Sequence, residues 1–123
     1  PWNLYMVGSM GSAGAFGLGL ALQTPGRPVT VIEGDGALLM RLGNLATLGA
    51  YAPADLLHVA LDNEAHDSTG GQATVSRGVA FAAIAQACGY RRVVSTDDLA
   101  EFAAALAAPR VAGPTFIHLR IRP

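Results

Sequence analysis

The chain has 123 residues, enough for one ordinary domain and no more. Hydrophobic residues make up 51% of it and charged residues 14%, with a formal net charge of -1. That balance argues against a nucleic-acid footprint, and no uninterrupted apolar run is long enough to span a bilayer.

A small domain has too little interior to hide so many apolar side chains. Part of that surface is therefore expected to face another chain or domain, in a homo- or hetero-oligomer. Cys88 is the only cysteine, which removes an internal disulfide and a cysteine-rich zinc site and fits a reducing cytoplasm. No charged segment followed by an apolar core opens the chain, so no secretory signal is read. The first residue is Pro1, which suggests a piece of a longer protein.

Leu4 to Val7 is a short apolar, strand-like run. Ser12 to Gln23 reads as a helix, despite Gly14, Gly17 and Gly19, which each cost roughly 1 kcal/mol relative to alanine. Close approach of a neighbouring backbone or side chain is the expected compensation. Pro25-Gly26 marks a turn. Val29 to Glu33 predicts a buried strand, and Ala37 to Tyr51 a helix with Leu38, Leu42, Leu45 and Leu48 on one face. Leu56 to Leu61 predicts the next strand, Asn63 to Thr74 a polar loop, and Val75 to Cys88 a helix stopped by Gly89. Arg91 to Val94 is a short strand, Ser95 to Asp98 a helix cap, Leu99 to Ala108 a helix and Thr115 to Ile121 the last strand. Strands that are apolar without alternation, interleaved with helices, predict one α/β domain: a parallel sheet with helices on both faces.

Gly34-Asp35-Gly36 sits where a strand gives way to a helix. Ligands of open α/β sheets bind beyond the carboxyl ends of the strands, and a helix starting there points free N–H groups at an anion. The Asp35 carboxylate would repel a phosphate unless it holds a magnesium ion bridging to the phosphate oxygens. Taken alone, the tripeptide is more often a tight turn in which Asp35 caps a helix. Asp62-Asn63-Glu64-Ala65 follows the next strand and should emerge on the same edge of the sheet. Asn63 offers a neutral oxygen ligand, although asparagine more often simply ends a strand in a turn.

The pair is more specific than either part. Gly-Asp-Gly, then 26 residues from Ala37 to Asp62, then Asn63, resembles the signature of thiamine diphosphate-dependent enzymes. The resemblance extends over essentially the whole chain and implies their diphosphate-binding domain. It implies that Asp35, Asn63 and the Ala65 carbonyl hold magnesium, and that the N–H groups of Gly36 and Ala37, next to Gly34, contact the diphosphate. Many members have glycine after the asparagine; here the residue is Glu64. The upstream Val7-Gly8-Ser9-Met10-Gly11-Ser12 also matches. There the resemblance makes Met10 the apolar wedge that bends the cofactor, with Gly8 and Ser9 beside it. The Gly8 carbonyl and the Met10 N–H would meet the aminopyrimidine.

Ala65 to Gln72 is similar to the Gly-Gly-Gln loop of the phosphonopyruvate and sulfopyruvate decarboxylase branch, and His66-Asp67 leans towards phosphonopyruvate. The implied activity is loss of carbon dioxide from a small anionic 2-oxo acid, phosphonopyruvate giving phosphonoacetaldehyde. His66 becomes the candidate catalytic residue, because histidine exchanges protons near neutral pH; an exposed loop histidine is the plainer alternative. The family activates its cofactor with a glutamate from a separate pyrimidine-binding domain, which this chain is too short to contain. That domain, or an α subunit carrying it, is the expected partner; Glu33 and Glu64 adjoin the diphosphate elements and are poor substitutes. A dinucleotide-binding domain is disfavoured by the glycine spacing, and a Walker loop by the lack of Gly-Lys-Ser/Thr. A non-catalytic subunit retaining only fold and interface is the remaining alternative.

Overall fold

The computed structural model describes residues 2–121. Four parallel strands form one sheet in the order β1-β2-β6-β5: β1 (Val29–Gly34), β2 (Leu56–Asp62), β5 (Arg92–Thr96) and β6 (Thr115–Arg120). The ladders run Val29 against Leu56, Leu57 against Thr115, and Arg92 against Thr115. The helices are α1 (Ala13–Gln23), α2 (Asp35–Met40), α3 (Asn44–Tyr51), α4 (Phe81–Ala87) and α5 (Leu99–Ala107). A two-stranded hairpin, β3 (Ala65–His66) with β4 (Gln72–Ala73), stands beside the sheet.

The strand order places the helices. From β1 to β2 and on to β5 the chain moves in one direction across the sheet, and α1, α3 and α4 cover one face. The connection from β5 back to β6 reverses that direction. A right-handed crossover must then pass over the opposite face, where α5 lies. The first face buries Leu18, Leu45, Leu48, Leu56, Phe81 and Phe116 in one core. The second buries Leu57, Val59, Ala105 and Ile117 in a smaller one. Gly17 explains how a glycine-rich helix packs, since a Cβ there would stand 2.2 Å from Val31 Cγ2. Gly19 has open space around it, so close packing accounts for Gly17 and not for Gly19.

Four elements differ from expectation. Leu4 to Val7 forms no strand and is exposed; Val7 is 96% exposed. The helix expected from Ala37 to Tyr51 is two, because Arg41 leaves helical geometry (φ -136, ψ 45) and a turn closed by Asn44 N–H on the Arg41 carbonyl re-aims the chain. Asn44 then donates through Nδ2 to the Gly11 carbonyl at 3.0 Å, an anchor that a continuous helix would not supply. The loop from Asn63 to Thr74 contains the β3–β4 hairpin. The helix expected from Val75 is a single 3-10 turn, Ser76–Gly78, and α4 starts only at Phe81. The hydroxyls of Thr74 and Ser76 are held by carboxylates of the sheet edge, which fixes the chain there in a non-helical path.

No described helix is long and apolar enough to cross a membrane.

Candidate active site

All strands of the sheet run the same way, so the carboxyl ends of β1 and β2 lie side by side. A cleft of about 360 Å³ opens there. Met10, Gly34, Asp35, Gly36, Ala37, Asn63, Ala65 and His66 all line it, drawn from three stretches of sequence. Ile32, Leu61 and Ile121 give it an apolar wall, and Asp67 and Ser68 a polar rim. Gly8 and Ser9 are exposed and do not line the cleft. They form the turn that presents Met10: both have positive φ, and the Ser9 carbonyl accepts from Ser12 N–H at 3.0 Å. Gly11 is pressed against α2, where a Cβ would meet the Ala37 carbonyl at 2.6 Å.

Asp35 opens α2 with Gly34 as its N-cap and is 1% exposed. A buried carboxylate is costly unless compensated. Free N–H groups of the first helical turn favour a negative charge there. Its Oδ2 accepts a hydrogen bond from Thr74 Oγ1. Among the described residues no arginine or histidine forms an ion pair with it. Asn63 Oδ1 accepts from Ala65 N–H at 3.1 Å, so the Asn63 side chain folds over its own turn. The Thr74 N–H bonds to the Glu64 carbonyl, which makes Ala65 and Ala73 a non-hydrogen-bonded pair and leaves the Ala65 carbonyl unused by the ladder. A buried carboxylate without a cationic side chain, an amide oxygen and a spare carbonyl on one cleft form a hard-oxygen donor set that fits a magnesium-sized cation.

Glu64 takes the left-handed backbone, φ 60, that glycine adopts freely. The turn is thus kept without the glycine, at a local backbone cost. The Glu64 side chain reaches Arg77 (Oε2 to Nη2 2.7 Å), an exposed pair that closes the loop on its outer side. His66 lies over Gly36, where a Cβ would stand 2.3 Å from its Nδ1. Each glutamate near the site has a side-chain partner within the chain, although Glu33 Oε2 is buried with none among the described residues. Glu33 is buried with Oε1 2.7 Å from His58 Nε2, and His58 Nδ1 meets the Tyr90 hydroxyl at 2.9 Å.

Sequence reasoning missed Thr74, Ser76 and His118. Ser76 Oγ donates to Asp62 Oδ1 at 2.7 Å, the Glu64 N–H donates to the same oxygen at 3.1 Å, and His118 Nε2 stands 2.9 Å from Asp62 Oδ2. Burial pushes the Asp62 carboxyl upward, but the hydrogen bonds from Ser76, His118 and the Glu64 N–H outweigh it and hold the group below the ordinary aspartate value. No local motif signals these partners, because they come together only through the sheet.

Residues 2–119 match the family model described as the C-terminal thiamine pyrophosphate-binding domain of thiamine pyrophosphate enzymes. Phosphonopyruvate decarboxylase of Streptomyces viridochromogenes is 58% identical over 98% of this chain and 30% of that protein. Sulfopyruvate decarboxylase subunit beta of Methanothermobacter thermautotrophicus is 42% identical over 100% of this chain and 64% of that subunit. The chain therefore spans less than a third of the phosphonopyruvate decarboxylase it resembles. Among solved structures, a thiamine diphosphate-dependent 4-hydroxybenzoylformate decarboxylase of Rhodococcus jostii superposes with a TM-score of 0.74 at 22% identity, over 92% of this chain and 23% of that one. That likeness supports the fold.

Proposed function

The chain belongs to the thiamine pyrophosphate enzymes, as their C-terminal cofactor-binding domain, and we propose that it forms the magnesium- and diphosphate-holding half of a decarboxylase site for 3-substituted pyruvates. The observation that carries this reading is Asp35: a buried carboxylate that, among the described residues, forms no ion pair, on the same cleft as Asn63 and Ala65. In this reading Asp35, Asn63 and the Ala65 carbonyl hold magnesium. Gly34 allows close approach, Gly36 and Ala37 offer N–H groups to the diphosphate, and Met10, carried on the Gly8-Ser9 turn, shapes the apolar end of the cofactor. Bound there, thiamine diphosphate supplies the electron sink for loss of carbon dioxide from a 2-oxo acid. The chain's own residues orient and desolvate the site, and His66 moves a proton or binds the anionic tail of the substrate.

Phosphonopyruvate is the proposed substrate, supported by the 58% identity to a phosphonopyruvate decarboxylase. Sulfopyruvate is the second reading, supported by the 42% identity to a β subunit of which this chain spans 64%. In either case a pyrimidine-binding domain or α subunit supplies the activating glutamate, because Glu33 is tied to His58 and Glu64 to Arg77. The single domain, the oligomer and a cytoplasmic location are part of the same proposal. The test is turnover by the protein together with its pyrimidine-binding partner, given thiamine diphosphate, magnesium and each substrate separately. Carbon dioxide release with phosphonopyruvate supports the first reading, and faster release with sulfopyruvate the second. Release with neither overturns both.

A further inference from the structure

We propose that Asp67 is a positioning residue that fixes the orientation of the Asn63 carboxamide, so that its oxygen and not its nitrogen is offered to the cation; the inference rests on the cation site proposed above. A carboxamide has two ends of nearly the same shape, and only the oxygen end can ligate a cation. Turning Asn63 over would put Nδ2 where Oδ1 stands and remove the residue as a ligand. Two contacts set the orientation. Asn63 Oδ1 accepts from Ala65 N–H at 3.1 Å, and Asn63 Nδ2 donates to Asp67 Oδ2. Both partners are one-way, since a backbone N–H only donates and a carboxylate only accepts. The turned-over amide would set Nδ2 against the Ala65 N–H and Oδ1 against the Asp67 carboxylate, losing both bonds and gaining two repulsions. Oδ1 has a second acceptor position besides the one taken by Ala65, and that position stays open for a cation.

The hairpin puts Asp67 in place. Asp67 opens the 3-10 turn Asp67–Thr69 between β3 and β4, and Gly71 N–H closes that tip on the His66 carbonyl at 3.0 Å. The Thr69 hydroxyl donates to the same carbonyl at 3.3 Å. A carboxylate is thereby returned to the residue four positions before it, across the turn in which Glu64 takes the left-handed backbone. Without Asp67, only the Ala65 contact would tell the two ends of the amide apart, because water can donate or accept at the other end. Asp67 also lines the rim of the cleft, so its charge could attract a cation with no orienting role. Asp67→Asn separates the two effects, since it removes the charge and keeps an acceptor.

The experiment is calorimetric titration of thiamine diphosphate, in magnesium, into the protein with its pyrimidine-binding partner. It compares wild type, Asp67→Ala, Asp67→Asn, Asn63→Asp and the double variant of Asn63→Asp with Asp67→Ala. Asp67→Ala should weaken binding about tenfold, the lower end of the loss usual when the partner that orients a metal ligand is removed. Asp67→Asn should bind close to wild type, because its amide oxygen can accept from Asn63 Nδ2. In Asn63→Asp both ends of the side chain are oxygen and nothing needs orienting, so adding Asp67→Ala there should cost no affinity. Unchanged affinity in Asp67→Ala overturns the inference. So does an Asp67→Asn protein as weak as Asp67→Ala, which would make Asp67 a charge or a ligand instead of an orienting partner. An equal loss from Asp67→Ala with and without Asn63→Asp, or a double variant that binds no cofactor, also overturns it. All of these leave the functional reading standing where wild type binds the cofactor in magnesium. A wild type that does not bind overturns that reading, and this inference with it.

Discussion

A methyl group on Gly36 would stand 2.3 Å from His66 Nδ1 and 2.6 Å from its Cε1. The obstacle is a partly buried side chain at the cleft rim, which can rotate away at little cost to stability. Gly36→Ala should therefore leave the melting temperature nearly unchanged and displace His66 from the cleft. If His66 moves a proton in the reaction, turnover should fall about a hundredfold, the usual lower range for losing such a group. Steady-state assays of Gly36→Ala, His66→Ala and the double variant check this: the double variant should lose no more than Gly36→Ala alone. Full turnover in Gly36→Ala would contradict it. At this scale the grouping of the candidate residues on one cleft was legible. Asp35, Asn63 and Met10 stand at spacings set by a strand, a helix and a strand, so the motif encodes their placement. Thr74 and Ser76 carry no such mark, because their partners are 39 and 14 residues away and are reached only after the sheet forms.

At the scale of elements, the sheet was the legible part, since β-branched and leucine-rich runs without alternation allow little else. The breaks were not. Ala and Leu continue through Leu39, Met40 and Leu42, so periodicity runs on where the chain turns at Arg41. The hairpin was hidden by the polarity of its short strands. Between β1, β2 and the start of β5 lies a buried network that composition did not announce: Glu33, His58 and Tyr90. Burial first, then the nearby Glu33 charge and Cys88, push the Tyr90 hydroxyl far above its ordinary value of 10.0. A raised folded-state value means that this group's contribution is complete below pH 10.0 and is lost as pH rises above it, because the unfolded chain ionises there first. Denaturant unfolding of wild type and Tyr90→Phe across pH 8 to 11 should show a steeper alkaline loss in wild type. Tyr90→Phe should cost about 1 kcal/mol at neutral pH through the lost hydrogen bond to His58. Parallel curves would contradict the assignment.

Across the whole molecule, the apolar excess of the composition is visible on the surface. Trp2, Tyr5 and Val7 are more than 80% exposed, and Ile32 on the uncovered face of β1 is 62% exposed. The cleft meets that uncovered face through Ile32 and Ile121, so one side of the site has no cover within the described residues. In the proposed reading a companion domain covers both features. The central claim is that Asp35 holds the cation through which this cleft binds thiamine diphosphate. The most direct test is calorimetric titration of the cofactor, with and without magnesium, into wild type and Asp35→Ala, each with its pyrimidine-binding partner. Magnesium-dependent binding in wild type that disappears in a folded Asp35→Ala protein is the predicted result. Equal binding by the two proteins would contradict the assignment.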